Sequence, residues 1–392
     1  MTQNEATQQN TAMRALLHMV AQDLGRPLSS EWEKAYWAVP RHRFLPERFH
    51  QGPECVPVDR REEPAEWLRA AYEDEPAITQ LNDGEEAGED DTPWPSSSAS
   101  APSIVFRMLE LLDVRDGQRV LEVGTGTGWN AGLLAQRLGG SGRVTSVEVD
   151  PALAEGAAAR LREAGLGVQV VTGDGAEGYA PGAPYDRVVA TCSVRQVPYA
   201  WIEQTAPGGV ILTPWDAPWC CYGLLRLTVE GDGTASGRFA PHSAFMVMRG
   251  HRADLRIFRD VVREGQVPEG SVTELSPWAV AGNDLDARFA VGLLVGDVWH
   301  AWQEDPDVEG VAARVWVATV DGTSWAAVDF DGEGERDFVV HQYGSRRVWD
   351  EVAAAYAWWR GAGSPEVGRF GLTVGAGGAR RVWLDDPANA VP

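Results

Sequence analysis

The sequence predicts an α/β fold built on a mostly parallel sheet, with a helical segment before it and an α+β segment after it. Three observations support this. Short apolar runs alternate with helix-like segments between about residues 100 and 214, the turn GTGTG follows the first run, and strand patterns continue over the last 140 or so residues. Strands that alternate with helices are typical of parallel sheets, whereas runs of strands indicate an α+β arrangement.

The first strand and its following turn predict a ligand site. Residues 119–123, RVLEV, form the apolar strand, and residues 129–138 form a helix with leucines at helical spacing. Three glycines at alternate positions lie in the turn between them. They permit a close approach of backbone to ligand, and the helix start offers free N–H groups, which favours a small molecule with an anionic or polar end.

The glycine spacing distinguishes between ligand classes. A dinucleotide-binding turn has the spacing G-x-G-x-x-G, but Trp129 stands where its last glycine would fall. The observed spacing is G-x-G-x-G, preceded by Glu122. At this point a purely structural explanation also stays open, in which the glycines only allow a strand to meet a helix.

Acidic residues at the ends of the next two strands favour the ligand explanation. Glu148 ends the second strand, 24 residues after Gly124, near the roughly 20-residue offset at which a carboxylate reaches a ribose diol. Asp150 precedes a proline and is better explained as a helix N-cap. The third strand runs into TGDGAEG and places Asp174 and Gly175 at its carboxyl end, the edge at which open α/β sheets bind ligands.

Several segments together resemble protein L-isoaspartate O-methyltransferases, a family with the class I methyltransferase fold. They are SASAPSIVFRMLELL, VLEVGTGTGWNAGLLA, VEVD, GDGAEG, YDRVVAT and IEQTAPGGVI, and the resemblance covers roughly residues 71–249. It implies a Rossmann-like fold that binds S-adenosylmethionine and releases S-adenosylhomocysteine. The residues that the resemblance and the spacing assign to this nucleoside are Glu122, Gly124, Thr125, Gly126, Thr127, Gly128, Glu148, Asp174 and Gly175.

The resemblance also implies a position for the methyl acceptor. The family pattern hydroxyl-x-Ser-x-Pro falls on Ser98 and Ser100, which we expect to orient a carboxylate. A peptide carboxylate with a pKa near ~3.9 is ionised at neutral pH, so no general base is needed. The loop TCSVRQVP contacts the peptide in the family, and here it contains Cys192 and Arg195. Arg195 is either a cation that offsets the acidity of the chain or a solvated loop arginine.

The N-terminal segment contains further candidates. In PRHRFLPERF, His42 could act as a base, but the resemblance favours a structural role because the reaction needs none. Thr79 and Gln80 precede the acidic block at residues 85–91, and Trp94 follows it. These three residues are predicted to form a lid over a peptide, while the acidic block alone would be solvated and mobile.

Composition excludes several classes of protein. Lys and Arg number 34 against 57 Asp and Glu, which gives a net charge of −23 and makes nucleic acid an unfavourable partner. There is no apolar run of roughly 18 residues and no signal peptide, so we expect a soluble cytoplasmic protein without membrane contact. The four cysteines lack metal-ligand spacing; no metal is expected, and they are interpreted as free thiols.

The predicted organisation has four segments. Residues 1–10 form a disordered tail, residues 11–95 an N-terminal subdomain with the acidic lid loop, residues 96–250 the nucleoside-binding domain, and residues 251–392 an accessory α+β domain. In the last segment, residues 284–302 are predicted to form one amphipathic helix, and residues 369–385 a closing hairpin.

Three functions are compatible with the sequence. The accessory domain, the acidic insert and the altered TCSVRQ loop together resemble an actinobacterial branch that is similar to methyltransferases tailoring ribosomally made lanthipeptides, lasso peptides and graspetides. The leading hypothesis is therefore methylation of an aspartate in a cyclised precursor peptide, whose ester collapses to an aspartimide or isoaspartate. The alternative is an isoaspartyl methyltransferase that repairs damaged proteins. A third, disfavoured by the glycines, Glu148 and Asp174, is a noncatalytic peptide-binding module.

Overall fold

Three β-sheets organise the chain. The computed structural model describes residues 3–86, 93–241, 243–331 and 337–392, and within these ranges the sheets have four, nine and five strands. No helix in the described ranges has the length and apolar character needed to cross a bilayer.

The N-terminal segment combines three helices with the four-stranded sheet. Its elements are α1 (Gln3–Asp23), α2 (Ser30–Ala38), β1 (Arg48–Gln51), β2 (Val56–Asp59), α3 (Pro64–Ala71), β3 (Ala77–Leu81) and β4 (Pro95–Ala99). The strands are antiparallel in the order β2-β1-β3-β4. Strand β4 therefore carries the predicted serine stretch at the edge of this sheet.

Helix α1 corrects the predicted disordered tail at residues 1–10, because the helix begins at Gln3. Residues such as Gln, Glu and Ala have good helix propensity and extend the apolar part of α1 toward the N-terminus. That apolar part is anchored: Met13, Leu16 and Val20 are buried, and the Tyr36 hydroxyl donates a 2.8 Å hydrogen bond to the Met13 carbonyl.

The central sheet confirms the predicted α/β fold. Its elements are α4 (Pro102–Leu112), β5 (Arg119–Val123), α5 (Trp129–Leu138), β6 (Arg143–Glu148), α6 (Pro151–Glu163), β7 (Val168–Thr172), β8 (Tyr185–Ala190), α7 (Tyr199–Glu203), β9 (Thr205–Ala217), β10 (Cys220–Val229) and β11 (Ala235–Ala240). Strands β5 to β9 are parallel in the order β7-β6-β5-β8-β9, and β10 and β11 continue the sheet antiparallel. The direction of strand order changes beside β5, where such sheets bind ligands at their carboxyl edge.

The C-terminal segment forms the five-stranded sheet and then returns to the central one. Its elements are β12 (Glu269–Thr273), α8 (Pro277–Ala281), α9 (Leu285–Val295), β13 (Val298–Glu304), β14 (Ala313–Thr319), β15 (Trp325–Phe330), β16 (Phe338–Tyr343), α10 (Val348–Gly361), β17 (Phe370–Val374) and β18 (Arg380–Leu384). The five-stranded sheet is antiparallel in the order β12-β16-β15-β14-β13.

The closing hairpin lies beyond the predicted boundary at residue 251, which stays a prediction, and it joins the central sheet. Strands β17 and β18 form the hairpin as predicted, but β17 pairs with β11 and so completes the central sheet. This pairing satisfies the backbone groups of β11, which would otherwise be an exposed edge. Phe370 and Leu372 also share one core with Leu225 and Leu227 of the central sheet. The closing strands of residues 251–392 therefore belong to the central sheet.

The predicted helix at residues 284–302 is shorter than expected. Helix α9 ends at Val295, and Gly296 follows with a φ of 73°, a left-handed conformation that stops helices and favours glycine. Trp299 and Trp302 consequently lie on strand β13, where the chain pairs with β14.

Candidate functional site

The glycine turn after β5 has the backbone that its sequence predicts. Gly124, Gly126 and Gly128 have φ values of 93°, 53° and 88°, all in the left-handed region. A Cβ on Gly124 would lie 2.7 Å from Thr191 Oγ1, so the turn also requires glycine for space. Thr191 closes this packing because its hydroxyl donates to the carbonyls of Val123 and Gly124.

The two threonines of the turn hold its shape. Thr125 and Thr127 are both buried. Thr125 Oγ1 is 2.6 Å from Ser146 Oγ on the neighbouring strand β6, and Thr127 Oγ1 accepts a 3.4 Å bond from the backbone N–H of Trp129 at the start of α5. Their side chains therefore link the turn to β6 and α5, which is a structural role.

Glu122 lies behind the turn and is not among the described residues that line the cavity, so its assignment as a nucleoside ligand stays a prediction. Its side chain is completely buried and accepts hydrogen bonds from Asn130 Nδ2 at 2.7 Å and from the Ser146 hydroxyl. Burial raises the pKa of Glu122 to about 7; the bonds from Ser146 and Asn130 oppose this rise, and the charge of Glu148 adds to it. Glu122 thus braces β5, β6 and α5 beneath the turn.

A cavity of about 1030 Å³ opens at the carboxyl edge of the central sheet, where the sequence predicts the site. Its wall brings together residues from three of the predicted groups. Among the described residues that line it are Gly124, Gly126, Glu148, Asp174, Gly175, Ser98, Ser100 and Cys192. One continuous space therefore contacts both the glycine turn and the serine strand.

Glu148 has the geometry expected of a diol-binding carboxylate. One carboxylate oxygen accepts a 2.9 Å bond from the N–H of Gly126, and the other accepts a 3.1 Å bond from the N–H of Asp150. A carboxylate offers about four acceptor positions, so these two bonds fix its orientation and leave others for two hydroxyls. Asp150 is the N-cap of α6, as predicted, with bonds from Ala152 and Leu153.

The loop after β7 contributes a second part of the same wall. Asp174 is exposed at the cavity and caps a short 3₁₀ turn by accepting a 2.9 Å bond from the N–H of Ala176. Gly175 is buried against β5: a Cβ there would lie 2.3 Å from Val123 Cγ1. The glycine therefore lets this loop approach the glycine turn closely.

Ser98 and Ser100 also line the cavity, at the end of β4 and just before α4. Both are partly exposed to the cavity, and within the described ranges neither hydroxyl has a hydrogen-bond partner. Each can therefore donate to a bound carboxylate, as the resemblance implies. Their contact with a substrate stays a prediction.

A buried arginine that the sequence did not single out holds this strand in place. Arg41 is completely buried, and its guanidinium donates to five backbone carbonyls, those of Ala71, Glu73, Glu75, Ala99 and Ser100, at 2.9–3.2 Å. Burial lowers the pKa of Arg41 to about 10, which leaves it cationic at neutral pH. The sequence indicated its neighbour His42 instead, because histidine side chains are common acids and bases.

The structure supports the structural role of His42. Its Nδ1 lies 2.6 Å from the Tyr72 hydroxyl, and burial, with the charges of Arg60 and Arg43, lowers its pKa to about 4. His42 is therefore neutral at neutral pH. It is also absent from the described part of the cavity wall.

The three residues predicted to form a lid over the peptide make other contacts. Thr79 donates a 3.4 Å bond to Ser97, and the exposed Trp94 lies under the guanidinium of Arg252 at 4.9 Å from its ring centre. Gln80 accepts a hydrogen bond from the Ser96 hydroxyl and donates one to Asp150. None of the three is among the described residues of the cavity wall, and their contact with a peptide stays a prediction. Residues 87–91 of the predicted acidic block lie outside the described residues.

Of the two predicted residues in the loop after β8, one is among the described residues that line the cavity and the other is not. Cys192 lines the cavity, and burial, together with the charge of Glu148, raises the pKa of its thiol to about 12. Arg195 instead donates a 2.7 Å bond to the buried carboxylate of Asp216. This ion pair does not support the predicted role of Arg195 in peptide binding, which stays a prediction.

Two arginines beyond β11 were also missed. Arg249 and Arg252 line the cavity and form ion pairs with Asp83, and Arg249 also pairs with Asp150. No local sequence pattern joins the two arginines to Asp83 and Asp150, because about 100 to 170 positions separate them from these acids. Arg41, by contrast, directly precedes His42 in the segment PRHRF.

The wall is compatible with S-adenosylmethionine. Gly124 and Gly126 of the turn line the cavity, and Glu148 presents free acceptor positions beside them. Glu148 would hold the ribose hydroxyls, and the backbone of Gly124 and Gly126 would hold the amino acid end of the nucleoside. The serine strand lies directly beside this turn, since the carbonyl of Ser98 lies 3.5 Å from an ideal Cβ on Gly126.

Comparison with known proteins decides the family. The family model described as protein-L-isoaspartate(D-aspartate) O-methyltransferase matches residues 14–246. The chain belongs to this family. The match includes the glycine turn, the serine strand and Glu148, so the predicted family and the class I fold are confirmed.

Curated relatives agree. The chain is 33% identical over 208 residues to the protein-L-isoaspartate O-methyltransferase of Pyrococcus horikoshii, covering 53% of this chain and 79% of the relative. It is 42% identical over 129 residues to that of Ignicoccus hospitalis, covering 32% of this chain. The alignments span 61% of the Ignicoccus hospitalis protein and 58% of a protein-L-isoaspartate O-methyltransferase of Archaeoglobus fulgidus.

A solved structure bears on the C-terminal segment. A structure titled protein-L-isoaspartate O-methyltransferase matches with a TM-score of 0.55 and 22% identity, and the match covers 95% of this chain and all of that one. The fold of this chain is therefore similar to that structure over most of its length. The comparisons favour the repair alternative over the leading hypothesis.

Proposed function

We propose that this protein is an S-adenosylmethionine-dependent carboxyl O-methyltransferase that acts on isoaspartyl residues in peptides or proteins. The observation that carries the proposal is one continuous cavity lined by Glu148, the glycine turn, Ser98 and Ser100. Membership in the isoaspartyl methyltransferase family supports the same reaction.

The chemistry requires orientation more than proton transfer. When bound, S-adenosylmethionine supplies a methyl group that an ionised carboxylate can accept by direct displacement. An isoaspartyl residue presents its free α-carboxylate, which is ionised at neutral pH. Two titratable side chains that could be considered as a base support this account, since His42 is not among the described residues of the cavity wall and the Cys192 thiol has a pKa of about 12.

The acceptor wall supplies the orientation. Ser98 and Ser100 would each donate a hydrogen bond to the carboxylate without the tight ion pairing that would lower its nucleophilicity. Arg41 fixes the carbonyls of Ala99 and Ser100, so the strand that carries the hydroxyls is held against the glycine turn. Holding two reactants in near-attack geometry can lower a barrier by roughly 7–11 kcal/mol.

Substrate class separates this proposal from the tailoring hypothesis, because both use the same transfer. A precursor peptide would offer the side-chain carboxylate of an ordinary aspartate, whereas a damaged protein offers an isoaspartyl α-carboxylate. The net charge of −23 does not distinguish the two substrates, because the acceptor group of each is an anionic carboxylate.

A pair of peptides that differ only in one aspartyl or isoaspartyl linkage tests the proposal. The purified full chain is incubated with S-adenosylmethionine and either peptide, and the products are followed by mass spectrometry. We expect the isoaspartyl peptide alone to gain the mass of one methyl group and then to lose methanol as the ester closes to a succinimide. Methylation of the aspartyl peptide alone would favour tailoring, and methylation of neither would overturn the proposal.

A variant control separates acceptor binding from nucleoside binding. The double substitution Ser98→Ala and Ser100→Ala should reduce kcat/KM for the isoaspartyl peptide by roughly tenfold or more, as expected for two lost hydrogen bonds. Its affinity for S-adenosylhomocysteine should stay that of the unaltered chain. An unchanged kcat/KM would remove the two serines from the acceptor site.

A further inference from the structure

Arg249 connects three segments that are distant in sequence. Its Nη2 donates to Gln80 Oε1 at 3.0 Å and to Asp150 Oδ2 at 3.2 Å, and its Nε lies 2.9 Å from Asp83 Oδ1. The side chain is 27% exposed and lines the cavity. One planar guanidinium therefore joins the end of β3, the following turn and the start of α6.

Asp150 passes this constraint to Glu148. Its Oδ1 caps α6 through the N–H groups of Ala152 and Leu153, and its Oδ2 accepts from Gln80 Nε2 at 2.8 Å and from Arg249. Its own N–H donates to Glu148. Burial alone would raise the pKa of Asp150, but the hydrogen bonds from Gln80, Leu153, Arg249 and Ala152 together lower it, so the carboxylate stays charged.

Gln80 extends the network to the acceptor strand. Its amide oxygen accepts a 3.0 Å bond from the Ser96 hydroxyl in addition to the bond from Arg249. Ser96 lies on β4, two residues before Ser98. The same amide therefore contacts the strand of the acceptor serines and the carboxylate next to Glu148.

Arg252 secures the outer side of this network. Its Nη1 donates to both carboxylate oxygens of Asp83 at 2.9 Å, and its guanidinium lies over the ring of Trp94. Asp83 is thereby shared between two arginines. The turn that carries it is held over the segment at residues 247–252.

We propose that Arg249 is a positioning residue for nucleoside binding, acting through Asp150 to keep the Glu148 carboxylate oriented toward a ribose diol. The inference rests on the proposed function and deepens it. Without the guanidinium, the carboxylates of Asp83 and Asp150 would lose a shared cation beside Glu148, and the turn at Asp150 would lose a constraint. A hydrogen bond to a charged group contributes more than a neutral one, so its loss should be measurable.

Calorimetric titration of S-adenosylhomocysteine into the full chain tests the proposal without a peptide substrate. Arg249→Met should weaken the affinity by roughly tenfold, the effect of one lost charged hydrogen bond. Arg249→Lys should restore part of it, because a lysine keeps the charge but cannot reach Asp83 and Asp150 together through a planar fork. Asp150→Asn keeps a good N-cap and should weaken binding in the same direction.

Arg256→Met is the matched control from the same segment. Its side chain is 66% exposed and its nearest acidic partner, Asp254, is 3.9 Å away, so this variant should bind like the unaltered chain. In kinetics, Arg249→Met should raise KM for S-adenosylmethionine while kcat at saturation stays within about twofold, a split expected when only binding is affected.

The outcomes separate the inference from the proposed function. Heat with the unaltered chain but equal affinity in Arg249→Met would overturn the inference alone. No heat with the folded, unaltered chain would overturn the proposed function. If Arg249→Met fails to fold, as judged by circular dichroism, Asp150→Asn decides: affinity equal to that of the unaltered chain would contradict the role of Arg249.

Discussion

The guanidinium of Arg41 donates a 3.2 Å hydrogen bond to the backbone carbonyl of Ser100, across 59 positions of sequence. This contact sets the position of the acceptor strand from within the N-terminal segment. Arg41 is completely buried and donates to four further carbonyls. A shorter side chain at this position would therefore leave several buried acceptors unpaired. The N-terminal segment thereby takes part in building the site.

Replacing this arginine should affect both stability and turnover. Arg41→Met would leave buried carbonyls without donors, each such group costing about 1–3 kcal/mol, so we expect a loss of about 3 kcal/mol in the free energy of unfolding. We also expect methyl transfer to fall by roughly tenfold or more, because small displacements of an acceptor are costly. Urea unfolding and steady-state kinetics measure the two effects. Arg43→Met, at an exposed neighbour, is the control, and equal behaviour of the two variants would contradict the account.

The glycine turn predicts a second effect, on nucleoside affinity. Gly124→Ala would place a Cβ at a φ of 93°, which costs roughly 1–2 kcal/mol, and 2.7 Å from Thr191 Oγ1. We expect affinity for S-adenosylhomocysteine to fall by about tenfold or more, measured by calorimetry. Gly140→Ala should change nothing, because open space surrounds that glycine and its φ lies outside the left-handed region. Tight binding by Gly124→Ala would show that the turn is not part of the nucleoside site.

Glu122 predicts a pH dependence of stability. Its pKa is raised from 4.5 to about 7 in the folded protein, so the folded state holds this proton more tightly than the unfolded state. That stabilisation is fully present below pH 4.5 and is lost as the pH rises through 7. Glu122→Gln mimics the protonated side chain, so its stability relative to the unaltered chain should increase with pH, by at most about 3 kcal/mol.

Urea unfolding at several pH values between about 5 and 8 measures this difference. The exposed Glu155→Gln provides the comparison, for which the stability difference should not depend on pH. If Glu122→Gln shows the same flat profile, then Glu122 is ionised in the folded protein and its carboxylate is stabilised by other means.

Arg195 predicts a loss of stability without a loss of peptide affinity. Asp216 is buried, and Arg195 donates to it at 2.7 Å. Arg195→Met should reduce the free energy of unfolding by about 1.5–3 kcal/mol, the range for hydrogen bonds to charged groups, while KM for an isoaspartyl peptide stays unchanged. Adding Asp216→Asn should recover part of the stability, since no buried charge is then left alone. A raised KM in a stable variant would return Arg195 to the peptide site.

Local patterns in the sequence were sufficient to predict the elements that build the cofactor wall. The apolar runs located β5 and β6, the glycines located the turn, and a fixed offset located Glu148, because each of these signals depends on neighbouring residues. Glu122 shows the limit of this reasoning: its position in the motif is correct, but side-chain burial placed its carboxylate behind the turn, against Asn130 and Ser146.

Long-range contacts explain what the sequence could not predict. Arg249 meets Gln80 across 169 positions, and no local pattern joins them. The hairpin β17–β18 was predicted as an element, but its pairing with β11 depends on tertiary packing. The C-terminal segment therefore seemed separable in sequence although it completes the central sheet.

A crystal structure of the full chain with S-adenosylhomocysteine and an isoaspartyl peptide tests the central claim most directly. We predict that the ribose hydroxyls lie within hydrogen-bond distance of the Glu148 carboxylate and that the peptide α-carboxylate contacts the hydroxyls of Ser98 and Ser100. A nucleoside bound away from the glycine turn, or a carboxylate seated away from both serines, would contradict it.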